Sequence, residues 1–153
     1  MKITVLRPFN VYGPRQRSDQ YAGVIASFIK NLISGSPPLI FGDGQQTRDF
    51  IYVEDVVDAL ILALERDEAN GRSFNIATGV PTSINRLASL LIELLGAEGL
   101  LPRYAVARKG DITDSYADIK EASACLGFKP LVSVREGLSS LLKYKKMVEV
   151  VRS

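Results

Sequence analysis

Apolar residues recur along the chain with two distinct periods. Lys2-Ile-Thr-Val-Leu-Arg7 is almost continuous in apolar and β-branched residues, which predicts a strand buried on both faces, as in a parallel sheet. Pro8 stops its pairing, and Gly13-Pro14 forces a turn at its carboxyl end, where open α/β sheets place their ligands. Tyr21, Val24, Ile25, Phe28, Ile29, Leu32 and Ile33 recur at helical spacing and predict an amphipathic helix over 21–34, with its aromatics in the core. Ser18 or Asp19 serves as its cap, and Gly35 ends it ahead of Pro37-Pro38.

Two short strands, 39–41 and 49–53, then flank a Gly-x-Gly turn. The next helix, 54–66, begins with Glu54 and Asp55 at the positive end of its dipole and is apolar nearly all round, so it predicts burial on most sides. A chain of this size rarely covers such a helix alone. A buried strand follows over 73–78. Ser83 caps a helix with an Ile84, Leu87, Leu91, Leu94 and Leu95 stripe that stops at Gly96. Residues 102–118 read as loop and short strand, and Asp118 caps a short helix ending at Gly127. Ser133-Val-Arg-Glu136 has capping-box spacing for a last helix with Val134, Leu138, Leu141 and Leu142 inward. This divides the chain into a body, 1–146, and a basic tail, 147–153, read as a solvated end.

The candidate chemistry gathers in the stretch from Ile40 to Val56. Glycines 42 and 44 permit a tight turn, and Arg48 presents a planar fork of donors matched to a phosphate. The competing reading is a hairpin turn whose arginine sits in an exposed ion pair. Asn10 is placed to hydrogen-bond a ligand or to cap the backbone of its own loop. Arg108 and Asp111, across a turn at Gly110, can converge on one ligand or on each other; as an exposed ion pair they contribute at most about 1 kcal/mol.

Composition narrows the chemistry. With no histidine and a single cysteine, Cys125, the chain has no imidazole base, no Ser-His-Asp or Cys-His centre and no usual zinc site. It also has no intrachain disulfide, which suits a reducing, cytoplasmic setting. A net charge of +2 with 24% charged residues gives no basic excess for nucleic acid or an anionic membrane, and 46% hydrophobic content argues against disorder. The longest apolar stretch, 56–64, is interrupted by Asp58 and is too short to span a bilayer.

Three separated motifs agree in order: Leu6-Arg-Pro-Phe-Asn-Val-Tyr-Gly-Pro14, the stretch from Phe41 to Val56, and Arg108-Lys-Gly-Asp111, completed by Leu126-Gly-Phe-Lys-Pro130. Together they resemble the NAD-dependent sugar-nucleotide epimerase/dehydratase family, the extended short-chain dehydrogenase/reductase group that includes UDP-glucose 4-epimerase. The resemblance covers nearly the whole chain but only the carboxyl-terminal half of that family. It implies an α/β fold with mixed strands and helices, the carboxyl-terminal half of a Rossmann-type fold without its dinucleotide-binding half. It further implies that Asn10 bonds the diphosphate region, Arg48 binds the diphosphate, and Arg108 and Asp111 hold the nucleotide's phosphate and ribose. Ile40 and Phe41 fall where relatives line the base pocket, and Pro8 and Phe9 fall beside the nicotinamide. Ser115, seven positions after Arg108, falls where relatives limit the sugar's C2 substituent; being small, it predicts tolerance of N-acetylated sugars.

Hydride chemistry in that family needs NAD held on a glycine-rich turn, and a tyrosine with a lysine four positions later. The sequence has no such glycine-rich turn. Tyr12, Tyr21, Tyr52, Tyr104 and Tyr144 lack that lysine; Tyr116 has Lys120 at the spacing, but it follows the first two motifs, whereas the resemblance places the pair ahead of the first. The expectation is therefore a substrate-binding half, from a truncated reading frame, an excised piece or one part of a split enzyme. On this reading it binds a UDP-sugar, holds no NAD by itself, has no catalytic residue and no metal, and is inactive alone. Exposed apolar faces and strand edges predict a homo-oligomer or a partner half. The alternatives are a non-catalytic nucleotide-sugar-binding or interaction module, a functionless remnant, and half of a 4,6-dehydratase or decarboxylase of the same family.

Overall fold

The structure is a computed structural model that describes residues 2–16 and 23–152. Ser18, Asp19 and Tyr21, the expected start of the first helix, lie outside the described residues. In chain order the strands are β1 (Val5–Pro8), β2 (Asn10–Tyr12), β3 (Leu39–Phe41), β4 (Thr47–Arg48), β5 (Phe50–Tyr52), β6 (Ser73–Ile76), β7 (Thr82–Ser83), β8 (Arg103–Ala105) and β9 (Asp114–Ser115). The helices are α1 (Val24–Ile33), α2 (Val53–Glu65), α3 (Ile84–Leu95), α4 (Lys120–Leu126) and α5 (Val134–Arg152). The chain divides into two compact units, one of residues 1–13, 49–81 and 116–153, the other of 14–48 and 82–115.

In the first unit β1 runs parallel to β6, with Leu6 opposite Phe74 and Pro8 opposite Ile76. Pro8 does not stop the pairing: it closes the strand, and the next amide, Phe9 N–H, still donates to the Ile76 carbonyl at 3.0 Å. Proline is tolerated there because β1 lies at the edge of a two-stranded pair, where an absent amide donor breaks nothing. The reading of β1 as buried on both faces is overturned. Leu6 packs against the core, but Ile3 and Val5 are 51% and 49% exposed. Asn10, expected in a loop, instead opens β2, which lies parallel to β5 with Asn10 opposite Phe50.

The core of this unit is a cluster that includes Ile51, Ala59, Phe74, Ile76, Leu126 and Phe128. Each large side chain buried in this way contributes roughly 1.5–3 kcal/mol. Helix α2 turns Val56, Ala59, Leu62 and Ala63 toward the cluster. Val57, Leu60, Ile61 and Leu64, at i, i+3, i+4 and i+7, form a second apolar stripe that is exposed, Leu64 by 86%. The expected burial on most sides thus holds for one stripe only.

Two carboxylates are buried here with their partners. Asp49, fully inaccessible, accepts from the Thr78 amide and hydroxyl at 2.8 and 2.6 Å, from the Gly79 amide at 2.9 Å and from the Ala117 amide at 3.3 Å. Asp55 accepts from the Leu131 and Val132 amides at 2.9 and 3.2 Å and ties α2 to the chain entering α5. At that entry the expected capping box forms. Glu136 accepts from the Ser133 amide and hydroxyl, and the Glu136 amide donates to Ser133 Oγ at 3.3 Å. Helix α5 then continues through 147–152, the stretch read as a tail. The N-cap of α4 is Ile119 rather than the expected Asp118, whose Oδ1 accepts from the Lys120 amide at 2.9 Å one residue ahead of it, and Gly127 ends the helix in the left-handed region.

The second unit holds three pairings that join distant segments. β3 is parallel to β8; β4 is antiparallel to β7 and parallel to β9. The strands on either side of the Gly-x-Gly turn do not pair with one another, so the hairpin reading fails. Helices α1 and α3 pack together through buried residues that include Ile25, Phe28, Ile29, Leu87 and Leu91. Ser83 caps α3 by accepting from the Arg86 amide at 3.1 Å, and Gly96 ends it.

Candidate functional site

The site of the second unit is built on the turn between β3 and β4. Gly42 and Gly44 hold φ of +78° and +75°, a region closed to most residues with a Cβ. Asp43 Oδ1 accepts from the Gln45 amide at 2.9 Å, closing a local Asx turn. The turn is fastened to the start of α3. Gln46 O and Gly44 O accept from the Ile84 and Asn85 amides at 3.1 and 3.0 Å, and Asn85 Nδ2 donates to Asp43 O at 2.9 Å. Tyr104 Oη donates to Asn85 Oδ1 at 3.1 Å, and a Cβ on Gly44 would collide with that same Asn85 amide group. These α3 amides are therefore committed to protein carbonyls, and the anion-binding capacity of the unit rests on its arginines.

Arg48 leaves the turn with its side chain 17% exposed. Nη1 donates to the Thr47 and Ile112 carbonyls, both at 2.7 Å, and Nη2 donates to Asp111 Oδ1 at 3.0 Å. The Asp111 side chain is 39% exposed, so the pair sits at the rim of the unit. Arg108 is placed otherwise. Its guanidinium carbon lies 3.9 Å from the centroid of Phe41, a stacked cation–π geometry, and among the described residues it has no ion pair. Arg108 and Asp111 meet only through the backbone, where the Asp111 amide donates to Arg108 O at 3.2 Å. The reading of the two as an ion pair with each other does not hold, because the Asp111 carboxylate goes to Arg48. Ser115, half-buried on β9, stands opposite Arg48 in register.

Phe41, Arg48, Arg108, Asp111 and Ser115 thus belong to one unit and are linked by direct contacts, by one turn or by strand register. Pro8, Phe9 and Asn10 belong to the other unit. Asn10 uses its amide and its Nδ2 to donate to the Asp49 carbonyl, both at 3.1 Å, so its side chain reads the neighbouring strand rather than its own loop. Pro8 is exposed and Phe9 half-buried at the carboxyl end of β1. They offer an apolar wall without a charged group. The Gly42–Gly44 turn leads into a strand rather than a helix. The described residues therefore fit the edge of a nicotinamide site but not the cradle of a dinucleotide's phosphates.

The Asp111 carboxylate of this arrangement is engaged by Arg48 at 3.0 Å. The Tyr12 hydroxyl donates to Val134 O at 3.3 Å, and its pKa is raised by burial, then by Tyr52 and by the Asp55 and Glu136 carboxylates. Burial also raises that of Tyr52, ahead of the Glu54 charge and against a hydrogen bond with Ser140. Both remain phenols, the opposite of what a tyrosine base requires. Among the described residues no group of three His, Cys, Asp or Glu could hold a metal, and no helix is long and apolar enough to cross a membrane. Sequence reasoning missed Asp49, and gave Asp55 only a place at the positive end of the α2 dipole. Each reads as an ordinary polar residue beside an apolar run, and only the fold brings their amide donors to them.

A family model described as the NAD dependent epimerase/dehydratase family matches residues 1–77. A UDP-glucose 4-epimerase of Mycolicibacterium smegmatis is 39% identical over 91% of this chain and 44% of its own length. A UDP-N-acetyl-alpha-D-glucosaminuronate decarboxylase of Bacillus cytotoxicus is 33% identical over 97% of this chain and 48% of its own. The solved structure of a Thermotoga maritima UDP-glucose 4-epimerase with UDP-glucose superposes with a TM-score of 0.91 at 43% identity, over 97% of this chain and 47% of that one. The chain spans about half the length of the curated relatives it matches, and the fold is that of their carboxyl-terminal half.

Proposed function

Since the chain belongs to the NAD-dependent epimerase/dehydratase family, we propose that it is the nucleotide-sugar-binding half of a UDP-sugar 4-epimerase. The observation that carries this reading is the pair of arginines in the second unit: Arg48 fixed at the end of a rigid turn, and Arg108 stacked on Phe41 without an ion-pair partner among the described residues. Two guanidiniums on one unit match the charge of a diphosphate, and charge-assisted bonds of this kind are roughly twice as strong as neutral ones. Phe41 offers its ring to the base and Asp111 its carboxylate to ribose hydroxyls. Ser115 leaves room for an N-acetyl group at the sugar's C2. Pro8 and Phe9 form an apolar wall for the nicotinamide.

In a complete enzyme NAD supplies the hydride acceptor and donor for oxidation and re-reduction of the sugar. This chain's residues bind and orient the substrate; the base and the dinucleotide cradle come from a further half. Alone it binds UDP-sugars and does not turn them over. We propose also that it self-associates through the exposed stripe of α2, and a clean monomer by light scattering at micromolar protein would overturn that. Isothermal titration with UDP and UDP-glucose tests the main reading. Wild-type binding lost in Arg48→Ala and Arg108→Ala is the expected result; no binding by a folded wild-type chain would refute it.

A further inference from the structure

Strand β1 spends its hydrogen-bonding groups on one side only. In a parallel pairing the N–H and C=O of one residue point the same way, and successive residues alternate. The odd residues face β6: the Val5 and Phe9 amides donate to Arg72 O and Ile76 O, both at 3.0 Å, and Ile3 O accepts from the Gly71 amide at 2.8 Å. The even residues face away from β6. Beyond Pro8 that far side belongs to β5, because the Asn10 amide donates to Asp49 O at 3.1 Å. Ahead of it, the Thr4 and Leu6 amides have no acceptor among the described residues. An unpaired edge is ordinarily guarded by charge, proline or a covering element. Here Arg7 and Pro8 guard only the carboxyl end. At the amino end Lys2 is engaged by Asp67 at 2.8 Å, and the outward side chains, Ile3 and Val5, are exposed.

From this edge we infer that two copies of the chain pair through β1, antiparallel, so that the β6–β1 ladder continues into the second copy. The edge itself selects that occupant. Identical edges related by a two-fold axis pair antiparallel, because the slanted ladder of parallel strands is not the same seen from its two members. The register follows from the side chains. An axis at Thr4 lets the amides and carbonyls of Thr4 and Leu6 bond those of Thr4 and Lys2 in the second copy. It also sets each Val5 opposite the other chain's Ile3 and leaves Pro8, which has no donor, outside the ladder. An axis at Arg7 would place like charges directly opposite, and one at Val5 would set Ile3 against Arg7. The exposed apolar pair and the free amides are thus satisfied by one arrangement. Neither nucleotide binding nor the outward stripe of α2 enters this inference.

Amide exchange of the 153-residue chain, read at Thr4 and Leu6 alongside light scattering, tests this. Both amides should be protected. Dilution by about tenfold should speed their exchange about threefold, since the free fraction of a mostly paired chain follows the inverse square root of concentration. Ile3→Glu and Val5→Lys each put a charge opposite an apolar side chain. Each alone should lose the protection and the paired mass while its circular-dichroism spectrum stays folded. Mixed in equal amounts the two variants should recover both, because the axis at Thr4 sets the new carboxylate of one chain opposite the new ammonium of the other. Leu64→Lys, which alters only the α2 stripe, should leave the edge protected. Exchange at the unprotected rate at every concentration, protection in a particle of single-chain mass, or a mixture that recovers nothing would each overturn the proposal. So would loss of protection in Leu64→Lys, which assigns the association to α2 instead.

Discussion

Asp49→Asn is the substitution by which the structural account is most exposed to test. The buried carboxylate accepts through Oδ1 from the amide and hydroxyl of Thr78, and through Oδ2 from the amides of Gly79 and Ala117. An asparagine retains one oxygen, so whichever way it turns, one of these donor pairs faces an NH2 group. Turned toward Thr78, it presents hydrogens to the half-buried Gly79 amide and to the buried Ala117 amide. Two bonds to a charged acceptor are lost at roughly 1.5–3 kcal/mol each, and buried donors are left unsatisfied. The expected loss is about 3–5 kcal/mol, a large share of the 5–15 kcal/mol typical of a whole domain. Urea denaturation measures the total. Amide exchange at Thr78, Gly79 and Ala117 locates it, because these amides should lose protection before those of α3. Thr78→Val, which removes the hydroxyl that donates to Asp49 and accepts from the exposed Val80 amide at 3.1 Å, should cost about 1 kcal/mol. A loss below about 1 kcal/mol for Asp49→Asn, with unchanged exchange at the three amides, would refute the reasoning.

Three further outcomes follow from single contacts. Gly137→Ala should destabilise by about 1–3 kcal/mol, against the usual gain for removing a helical glycine, because its Cβ would overlap the Tyr12 hydroxyl and come within 2.9 Å of the Tyr52 ring; thermal melting reads this, and a stabilised variant would contradict it. Hydrogen bonds from the Ser133 hydroxyl and amide hold the Glu136 carboxyl below its ordinary value of 4.5, so its contribution is present above that value and fades as pH falls through the lower folded one. Urea midpoints taken from about pH 6 to pH 3 should fall less steeply in Glu136→Gln than in wild type, and parallel curves would contradict this. On the proposed function, Ser115→Tyr should lower binding of UDP-N-acetylgalactosamine relative to UDP-galactose by about tenfold or more in competition titration. An unchanged ratio would remove Ser115 from the sugar pocket.

What was legible in the sequence was local. Ser83 and Gly96 bracket α3, Ser133 and Glu136 open α5, and Gly127 ends α4, because a cap is satisfied by residues within one turn and needs no knowledge of the rest of the chain. The parallel character of β1 was legible in its apolar run, but its burial was not: periodicity records which faces are apolar, not what covers them. Pairing across distance was equally hidden. β3 joins β8 and β4 joins both β7 and β9, so the turn that reads as a hairpin is an anchor on α3. The motif residues Phe41, Arg48, Arg108 and Asp111 were all named in advance, yet which acid takes which arginine depends on the course of a loop 60 residues away, and neither spacing nor charge alternation records it. Asp49 left no trace beyond its place after Arg48.

On the proposed self-association, the outward stripe of α2, Val57, Leu60, Ile61 and Leu64, makes stability a matter of mass action. Burial of that stripe is available only to chains that find a partner surface, so the free energy it contributes enters with the logarithm of protein concentration rather than as a constant. A melting temperature for this chain is then a point on a curve. Dilution should lower it, and the slope of that decline counts the copies, or the halves, that a folded particle contains.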